Sequence, residues 1–398
     1  MDYICKKIKN KNAVVSVPGS KSVTARAMLL AAIAEGESTL YGVSLWDDCM
    51  TFLNCLKALG IVCNLNGDTL KIEGCGGKLS VKEAEIDVGS AGTAARFIPA
   101  FLAFQRGKFT INCSEQMKRR PIAPLVEALK NLGASITFSE NENCFPIVIE
   151  GGINSHEVEV DIQKSSQFLS ALLISAVCAN KPVKIKRKGA HGMGYVNMTL
   201  DMMWSFGVSV KEKGNTYEVF GKYARKKYDI EPDISAACYF YAINRLLGTD
   251  IKVKGLMPHS MQSDYKFIEL IKTFDGGKID MGSFSDQALT LAACAPFFKN
   301  PTEICGVAHI RNQECDRIAA IVENLKNAGV KCEEREDGVV IYPSEFKPVK
   351  IKTFGDHRVA MSFAVAGLAS EGVVIESAEV CSKTFPNFFE VLDSLWKE

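Results

Sequence analysis

The sequence predicts an α/β protein with two domains, each assembled from three copies of one structural unit. The first observation is length, because 398 residues are too many for one ordinary hydrophobic core. The second is a recurring pattern in which a helix ends at a glycine and two alternating strands follow. The third is spacing: Gly60, Gly133 and Gly207 lie 73 and 74 residues apart, a longer period than solenoid repeats use.

The repeated unit occurs clearly four times, with helices that end at Gly60, Gly133, Gly207 and Gly329. A hairpin with an Asn-Gly, Lys-Gly-Asn or Asp-Gly type of turn is predicted after three of these glycines, and a longer one after Gly133. The long interval before Gly329 leaves room for a degenerate copy in 273–280. A further copy would end at a C-terminal helix, 388–398, and would take its strands from 1–17. Both termini would then lie in one domain.

Two breaks divide the chain. One is the Pro18-Gly19 turn, and the other is a charged stretch with a Glu-Pro-Asp break before a predicted helix, 234–247. We therefore expect one domain to comprise residues 1–18 plus 232–398 and the other to comprise residues 19–231. The chain would cross between the two domains twice.

Composition narrows the function classes. A formal net charge of +1 gives no general attraction to nucleic acid or to an acidic membrane. The N-terminal residues lack an apolar segment of signal-peptide length, and the longest apolar run, 168–179, is too short to span a bilayer. The fourteen cysteines include no CxxC pair, so we interpret them as reduced side chains of a cytosolic protein rather than metal ligands.

The stretch 14–34 is the most informative segment. A β-branched run, a Pro-Gly turn and an apolar helical segment follow one another, which predicts strand, turn and helix. The turn brings Ser20, Lys21 and Ser22 to the start of the helix, with Arg26 one turn later. Free N–H groups and the positive dipole end favour an anion there. The alternative is an ordinary serine N-cap beside solvated cations.

Five more stretches place small, hydroxyl or charged residues where a loop enters a helix: Gly89–Arg96, Lys118–Pro121, Ser165–Gln167, Glu314–Arg317 and Gly355–Arg358. Each has an ordinary structural alternative, such as a helix cap, a solvated charge run or an i,i+3 ion pair. Their joint occurrence in a nearly neutral chain indicates a cleft for a ligand with several negative charges. Asp286 and Glu314 are then available for acid/base chemistry.

Ten motifs in chain order carry a resemblance to a known family: PGSKS with a following Arg, GSAGTAAR, RRP, SSQF, EPDISAACYF, SMQSD, SDQALT, ECDR, GDHR and SKTFP. This set resembles the 5-enolpyruvylshikimate-3-phosphate synthases. The resemblance implies a two-domain inside-out α/β barrel, with three βαβαββ units per domain and the active site in the interdomain cleft. It also implies transfer of the enolpyruvyl group of phosphoenolpyruvate to the 5-hydroxyl of shikimate 3-phosphate, with release of phosphate.

The resemblance also implies roles for individual residues. The catalytic residues that it implies are Asp286, Glu314 and Lys21. The residues that it implies for shikimate 3-phosphate are Lys21, Ser22, Arg26, Ser165, Ser166, Gln167, Tyr195, Asp286 and Gln313. Those that it implies for phosphoenolpyruvate are Lys21, Gly92, Arg120, Gln167, Arg317, Arg358 and Lys383. It implies no metal, no organic cofactor and no nucleic acid or membrane partner, and a monomeric cytoplasmic enzyme.

The chain departs from the family pattern at several positions. Gln313 stands where a lysine is usual, His309 and Ser90 where asparagine is common, and Gly192 near a common serine. Thr24-Ala25 follows the first motif where asparagine is frequent. Two alternatives therefore stay open: enolpyruvyl transfer to another hydroxylated anion, such as the UDP-N-acetylglucosamine reaction of the sister family, and a ligand-binding relative without catalysis.

Overall fold

A computed structural model describes residues 1–8, 11–120 and 122–396. The predicted N-terminal strands, the RRP motif and the predicted C-terminal helix each include residues outside this part of the chain. Those residues are Lys9, Asn10, Pro121, Lys397 and Glu398. All fourteen cysteines fall within the described ranges, and all are free thiols.

The described residues form thirteen α-helices and twenty-one strands. The helices are α1 (Lys21–Ile33), α2 (Asp47–Ala58), α3 (Ala94–Ala103), α4 (Glu115–Lys118), α5 (Ala123–Leu132), α6 (Gln167–Ser175), α7 (Met193–Ser205), α8 (Ile234–Leu247), α9 (Tyr265–Ile271), α10 (Ala288–Cys294), α11 (Arg317–Asn327), α12 (His357–Ala369) and α13 (Phe388–Trp396). The strands are β1 (Tyr3–Ile4), β2 (Asn12–Val15), β3 (Glu35–Tyr41), β4 (Val62–Asn66), β5 (Thr69–Cys75), β6 (Glu83–Asp87), β7 (Gly107–Asn112), β8 (Ser135–Phe138), β9 (Ile147–Gly151), β10 (Glu157–Asp161), β11 (Val183–Lys188), β12 (Lys211–Lys213), β13 (Thr216–Val219), β14 (Lys227–Asp229), β15 (Asp250–Val253), β16 (Gly277–Asp280), β17 (Thr302–Cys305), β18 (Cys332–Arg335), β19 (Gly338–Ile341), β20 (Val349–Ile351) and β21 (Val373–Ile375).

The chain separates into two compact units. Unit 1 contains residues 1–18 and 232–398, and unit 2 contains residues 19–231. The chain passes from unit 1 to unit 2 after Pro18 and returns after Glu231. Asp233 at the return point caps α8, because its side chain accepts a hydrogen bond from the backbone N–H of Ala236 at 3.0 Å.

Unit 2 contains three four-stranded sheets with one common pattern. The strand orders are β6-β7-β9-β8, β10-β11-β13-β12 and β14-β3-β5-β4. In each sheet the first two strands are parallel and the last two form an antiparallel hairpin. A helix connects each parallel pair of the first two sheets, and a second helix leads into the hairpin, which gives the βαβαββ unit. The third sheet takes its first strand, β14, from the far end of the unit.

Unit 1 repeats this pattern less completely. The sheet β16-β17-β19-β18 has the full arrangement, whereas β1-β21-β20 has three strands and β15-β2 has two. Strands β20 and β21 are parallel, and β1 pairs antiparallel with β21. The six sheets stay separate, so the pairing of the described strands closes no ring. The repeated α/β architecture that the sequence predicts is therefore confirmed.

Two details of the predicted repeats differ in the structure. Residues 273–280 do not form a degenerate helix and hairpin: the chain leaves α9 and enters β16, which is the first strand of the next sheet. The strands of residues 1–17 also do not complete one unit together. Only β1 joins the last sheet, while β2 pairs with β15. After the chain returns from unit 2, α8 leads into β15, and β15 pairs parallel with β2. Strand β2 is therefore taken up by the sheet of β15 and does not join the sheet of β1.

The glycines that mark the repeats have the conformation that the pattern requires. Gly133 has φ +113° directly after α5, and Gly207 has φ +95° after α7. Residues with a Cβ rarely adopt this left-handed region, so glycine ends each helix and turns the chain into the hairpin. The glycines in the sequence were therefore sufficient to predict where these two helices end.

Several helices are buried over most of their surface, and their first residues are the predicted site motifs. All residues of α3 and α10 are buried, as are nearly all of α1, α6 and α12. In unit 1, α8, α10 and α12 pack against one another. A helix that is apolar on all sides needs such burial, which leaves mainly its ends for polar chemistry. The starts of these helices, with the loop or turn before each, carry eight of the fourteen predicted ligand-binding residues: Lys21, Ser22, Gly92, Ser165, Ser166, Gln167, Asp286 and Arg358.

Candidate active site

Arg317 lies at the centre of a charged cluster in unit 1. We use the name Arg317 cluster for Asp286, Gln313, Glu314, Arg317, Asp356, Arg358 and Lys383. The Arg317 side chain is 1% exposed, and its Nε lies 2.7 Å from Oδ2 of Asp356. Its Nη2 lies 3.3 Å from the other Asp356 oxygen and 2.9 Å from Oε2 of Glu314. Arg317 thus holds one carboxylate with two hydrogen bonds and a second with one.

The remaining guanidinium nitrogen of Arg317 has two further acceptors. Its Nη1 lies 3.3 Å from Oδ1 of Asp286 and also donates to Oε1 of Gln313. All five N–H groups of the guanidinium are therefore engaged by protein oxygens. Burial alone would lower the pKa of Arg317, but the carboxylates of Asp356, Glu314 and Asp286 outweigh it and raise the pKa.

Both predicted acid/base carboxylates contact a second cation. Arg358 Nη2 lies 2.7 Å from Oδ2 of Asp286, and Lys383 Nζ lies 3.2 Å from Oε1 of Glu314. All four side chains are largely buried, with at most 20% exposed. The structure therefore brings together Asp286, Glu314, Arg317, Arg358, Lys383 and Gln313, which the sequence assigned from four separate stretches. An anion that binds these cations must compete with the two carboxylates.

The start of α1 carries the first predicted motif in unit 2. Ser20 is the N-cap, since its Oγ accepts a hydrogen bond from the backbone N–H of Val23 at 3.4 Å. Lys21 is the first helical residue, and its Nζ lies 3.2 Å from Oδ2 of Asp48. Asp48 is 4% exposed and belongs to the first turn of α2. Ser20 thus caps the helix, as the ordinary interpretation has it, but the solvated cations of that interpretation are wrong: Lys21 has a buried carboxylate partner and Arg26 is buried.

Arg26 is 1% exposed within unit 2. Its Nε donates to Oγ1 of Thr199 at 2.8 Å, and its Nη groups donate to the backbone carbonyls of Ser22 and Tyr195. The described residues give Arg26 no carboxylate partner, and burial lowers its pKa to about 10. Arg26 therefore remains charged at neutral pH among neutral acceptors. An anion could reach it only if neighbouring side chains move.

The second hydroxyl motif opens α6. Ser165 Oγ accepts a hydrogen bond from the N–H of Gln167 at 3.3 Å, so one serine serves the helix. Ser166 is buried, and a Cβ placed on Gly192 would lie 2.6 Å from its Oγ. Gly192 also has φ +62°. A serine at 192 would therefore be strained and would collide with Ser166, which gives a physical reason for this departure from the family pattern.

The glycine-rich loop before α3 lies beside Arg120. A Cβ on Gly92 would lie 3.3 Å from Nη1 and 3.5 Å from Nη2 of Arg120. Nε of Arg120 is buried without a hydrogen-bond partner among the described residues, as is Oγ1 of Thr93. Buried donors without partners are costly unless a ligand or water satisfies them. This loop and Arg120 therefore offer an anion unused donors.

Two other departures also have partners in the structure. Oε1 of Gln313 accepts a hydrogen bond from Arg317. A lysine at this position could not accept that bond, because an ammonium group has only donors. His309 Nε2 lies 2.8 Å from Oγ of Ser285, the residue before Asp286. Ser90 lies half-buried in the turn before α3.

Sequence reasoning missed two carboxylates, one in each unit, that hold predicted site residues. Asp48 pairs with Lys21. Asp356 lies in the predicted stretch Gly355–Arg358, for which a helix cap was the ordinary explanation, and it also binds Arg317 from a fully buried position. The adjacent acidic pair Asp47-Asp48 at the start of α2 carried no signal of its own. Asp356 does cap α12, because its Oδ1 accepts from the N–H of Arg358 at 2.8 Å. Because helix capping already explained this residue, its contact with Arg317 was not predicted.

Two features are absent from the described ranges, a membrane-spanning helix and a cluster of metal-binding side chains. None of their helices combines the length and the hydropathy needed to cross a bilayer. No group of three or more His, Cys, Asp or Glu side chains in the same ranges could hold a metal ion.

Solved structures share this fold over almost the whole chain. The EPSP synthase from Acinetobacter baumannii aligns with a TM-score of 0.83 at 23% sequence identity, covering 99% of this chain and 98% of that one. The enolpyruvyl transferase NikO from Streptomyces tendae aligns with a TM-score of 0.77 at 13% identity, covering 99% and 96%. The fold is therefore that of the enolpyruvyl transferases.

Sequence comparison gives the family within this class. The family model of EPSP synthase (3-phosphoshikimate 1-carboxyvinyltransferase) matches residues 5–392. A 3-phosphoshikimate 1-carboxyvinyltransferase from Trichormus variabilis is 37% identical over 95% of both chains. The chain belongs to the EPSP synthase family, as its motifs predicted.

Proposed function

We propose that this protein transfers the enolpyruvyl group of phosphoenolpyruvate to the 5-hydroxyl of shikimate 3-phosphate and releases phosphate. The observation that carries the proposal is the Arg317 cluster, in which two carboxylates and three cations from four separate stretches meet in unit 1. Transfer of an anionic group to an anionic acceptor requires both kinds of charge in one place. Family membership supports the same reaction.

In this proposal the cations of the Arg317 cluster bind phosphoenolpyruvate. Arg317, Arg358 and Lys383 are each held against Asp286 or Glu314. Phosphoenolpyruvate would draw these cations toward its own carboxylate and phosphate groups. Asp286 and Glu314 would then lose part of the positive charge around them and become better proton acceptors. Substrate binding would thereby prepare the acid/base residues for the reaction.

The chemical steps follow from these residue types. Once the bound substrate has drawn the cations away, Glu314 takes up a proton, and it delivers this proton to the methylene carbon of phosphoenolpyruvate, which makes the adjacent carbon electrophilic. Asp286 takes the proton of the attacking 5-hydroxyl, and the oxygen adds to that carbon. The tetrahedral intermediate then loses phosphate, which takes the proton from Asp286, while ionised Glu314 takes a proton back from the newly formed methyl group to give the product double bond. Fixed cations stabilise the anionic intermediate.

Unit 2 supplies the remaining groups of the proposed site. Lys21 contacts both substrates, while Arg120 and the loop around Gly92 bind phosphoenolpyruvate. Ser22, Arg26, Ser165, Ser166, Gln167 and Tyr195 hold shikimate 3-phosphate. Support for Arg26 is its buried charge, for which the described part of the chain offers only neutral acceptors. The proposal also includes a monomer in the cytoplasm.

One assay tests the function directly. The purified protein is incubated with phosphoenolpyruvate and shikimate 3-phosphate, and phosphate release is followed against heat-killed protein and single-substrate controls. Release that requires both substrates supports the proposal. No release, with shikimate 3-phosphate binding intact by calorimetry, would instead favour a binding relative. UDP-N-acetylglucosamine as the acceptor tests the remaining alternative, which no observation on this chain favours.

Replacing Gln313 by lysine is expected to lower kcat/KM about tenfold, although lysine is usual in the family. The new ammonium would face the Arg317 guanidinium, which now donates to the Gln313 oxygen. Steady-state kinetics measure the change, and Gln313→Met serves as the control that removes the acceptor without adding charge. A kcat/KM above that of the wild type would mean that Gln313 is an impaired position.

Replacing Gly92 by alanine is expected to raise KM for phosphoenolpyruvate by roughly tenfold. The new methyl group would press on the Arg120 guanidinium at 3.3–3.8 Å and displace it by a few tenths of an ångström. KM for shikimate 3-phosphate and the melting temperature should change little. An unchanged KM for phosphoenolpyruvate would contradict the assignment of Arg120 to this substrate.

A further inference from the structure

A further carboxylic acid is buried behind Asp286 in unit 1. Asp264 precedes α9 and is 2% exposed. Its Oδ2 accepts hydrogen bonds from Oγ of Ser235 and from Nε2 of Gln287, the latter at 3.0 Å. Its Oδ1 is buried and has no hydrogen-bond partner among the described residues. One oxygen of this carboxyl group is therefore anchored by two hydrogen bonds, and the other has no hydrogen bond that would stabilise a negative charge.

The anchored oxygen connects Asp264 to the turn that carries Asp286. Gln287, the residue after Asp286, is fully buried and joins Asp264 to Thr290, whose Oγ1 donates to Gln287 at 3.0 Å. Thr290 in turn lies 3.2 Å from Oγ of Ser362 on α12. This chain of hydrogen bonds holds Gln287, and with it the turn 285–287, next to Asp264 and links it to α12. Because Asp286 lies in this turn, the turn determines where its side chain meets Arg317 and Arg358.

Asp264 interacts electrostatically with Asp286 and with Arg358, which is one of the cations that contact Asp286. Burial and the negative charge of Asp286 raise the pKa of Asp264 to about 6, whereas Arg358 opposes the shift. On α8, the Cys238 thiol donates to the backbone oxygen of Asp264 at 3.5 Å. Burial raises the pKa of that thiol well above its usual range, so it stays neutral. Asp264 thus ionises near neutral pH and repels the charge on Asp286.

This repulsion matters because Asp286 has two cationic neighbours. Arg317 and Arg358 favour its ionised form, which makes it a weaker base. A second carboxylate nearby has the opposite effect, since two like charges make it harder for both groups to ionise. We propose that Asp264 is a positioning residue that holds the turn carrying Asp286 and strengthens Asp286 as a base through its negative charge. This inference rests on the proposed function, in which Asp286 deprotonates the attacking hydroxyl.

The test compares pH–rate profiles of the wild type and Asp264→Asn. The amide keeps the shape and can still accept hydrogen bonds from Ser235 and Gln287, but it carries no charge. Asp286 then ionises more readily and is a weaker base. In the wild type, kcat should fall as the pH drops through the pKa of Asp264, because protonated Asp264 no longer strengthens Asp286 as a base. The variant lacks this step, so we expect its acid limb to lie about one unit lower and its plateau kcat to be about three- to tenfold lower. KM for both substrates should stay near the wild-type value.

Thr290→Val is the matched control. It removes a hydrogen bond from the same buried chain without changing a charge. A purely structural role of this chain predicts similar behaviour for both variants, whereas our inference predicts that only Asp264→Asn moves the acid limb. An unmoved acid limb in folded Asp264→Asn, or an equal movement in Thr290→Val, would overturn the inference.

A second variant covers the case in which Asp264→Asn does not fold. Ser235→Ala removes one hydrogen bond that lowers the pKa of Asp264, so Asp264 stays protonated to higher pH and the acid limb should move to higher pH, opposite to its movement in Asp264→Asn. An unmoved acid limb in folded Ser235→Ala would then overturn the inference. An inactive wild-type protein would overturn the proposed function together with this inference. An active wild type with unchanged variant profiles overturns the inference alone.

Discussion

Asp286→Asn is expected to lower kcat/KM by about 100-fold or more, the scale for a positioned general base. Asp286 is the carboxylate that lies 3.3 Å from Arg317 and 2.7 Å from Arg358, so its orientation is fixed from two sides. Asparagine preserves the size of the side chain but cannot accept a proton from a hydroxyl. KM for phosphoenolpyruvate should not rise, because both guanidinium groups lose a competing anion.

Phosphate release under steady-state conditions measures this effect, and calorimetry with shikimate 3-phosphate checks that the acceptor still binds. Asp250→Asn is the matched control in the same unit, since Asp250 is 64% exposed and pairs only with surface Lys252 in the described structure. It should have wild-type kinetics. A kcat for Asp286→Asn within a few-fold of the wild type would remove Asp286 from the role of base and direct attention to Glu314.

The regular parts of the fold were predictable from local patterns. Glycine after an apolar helix and an alternating pair of strands gave four hairpins, and Asp233 before an apolar run gave α8 with its bounds, 234–247. These features depend on residues close in sequence. The pairing of strands that are distant in the sequence was harder to predict. Nothing in residues 12–15 specifies that β2 pairs with β15 rather than joining β1, because that choice depends on where the chain returns from unit 2.

The candidate site was predictable for a different reason. Each motif alone had an ordinary explanation, and some of those explanations are correct: Ser20 and Asp356 do cap helices, and Glu314 does pair with Arg317. The two interpretations are compatible, because a cap or ion pair in the unliganded protein can also position a residue for a ligand. What sequence could not give was the pairing itself, such as Asp48 with Lys21. Such contacts depend on three-dimensional packing.

Arg317→Lys is expected to lower both stability and activity. Arg317 is 1% exposed and binds Asp356, which is fully buried, through two hydrogen bonds. An ammonium cannot reproduce the planar contact or serve all the acceptors around it. Leaving a buried carboxylate poorly paired should cost about 2–4 kcal/mol, which urea unfolding measures. Arg335→Lys is the control, because Arg335 is 58% exposed beside Glu333 and should change stability by less than about 1 kcal/mol.

A second substitution separates the two roles of Arg317. Asn at position 356 can still cap α12, but it places no charge beside residue 317. The double variant Arg317→Lys/Asp356→Asn should therefore regain part of the stability lost in Arg317→Lys. Its kcat/KM should stay about 100-fold or more below the wild type, because the guanidinium that would grip phosphoenolpyruvate is still missing. If activity returned with stability, Arg317 would act only through folding, and within the Arg317 cluster the cations that bind phosphoenolpyruvate would have to be Arg358 and Lys383.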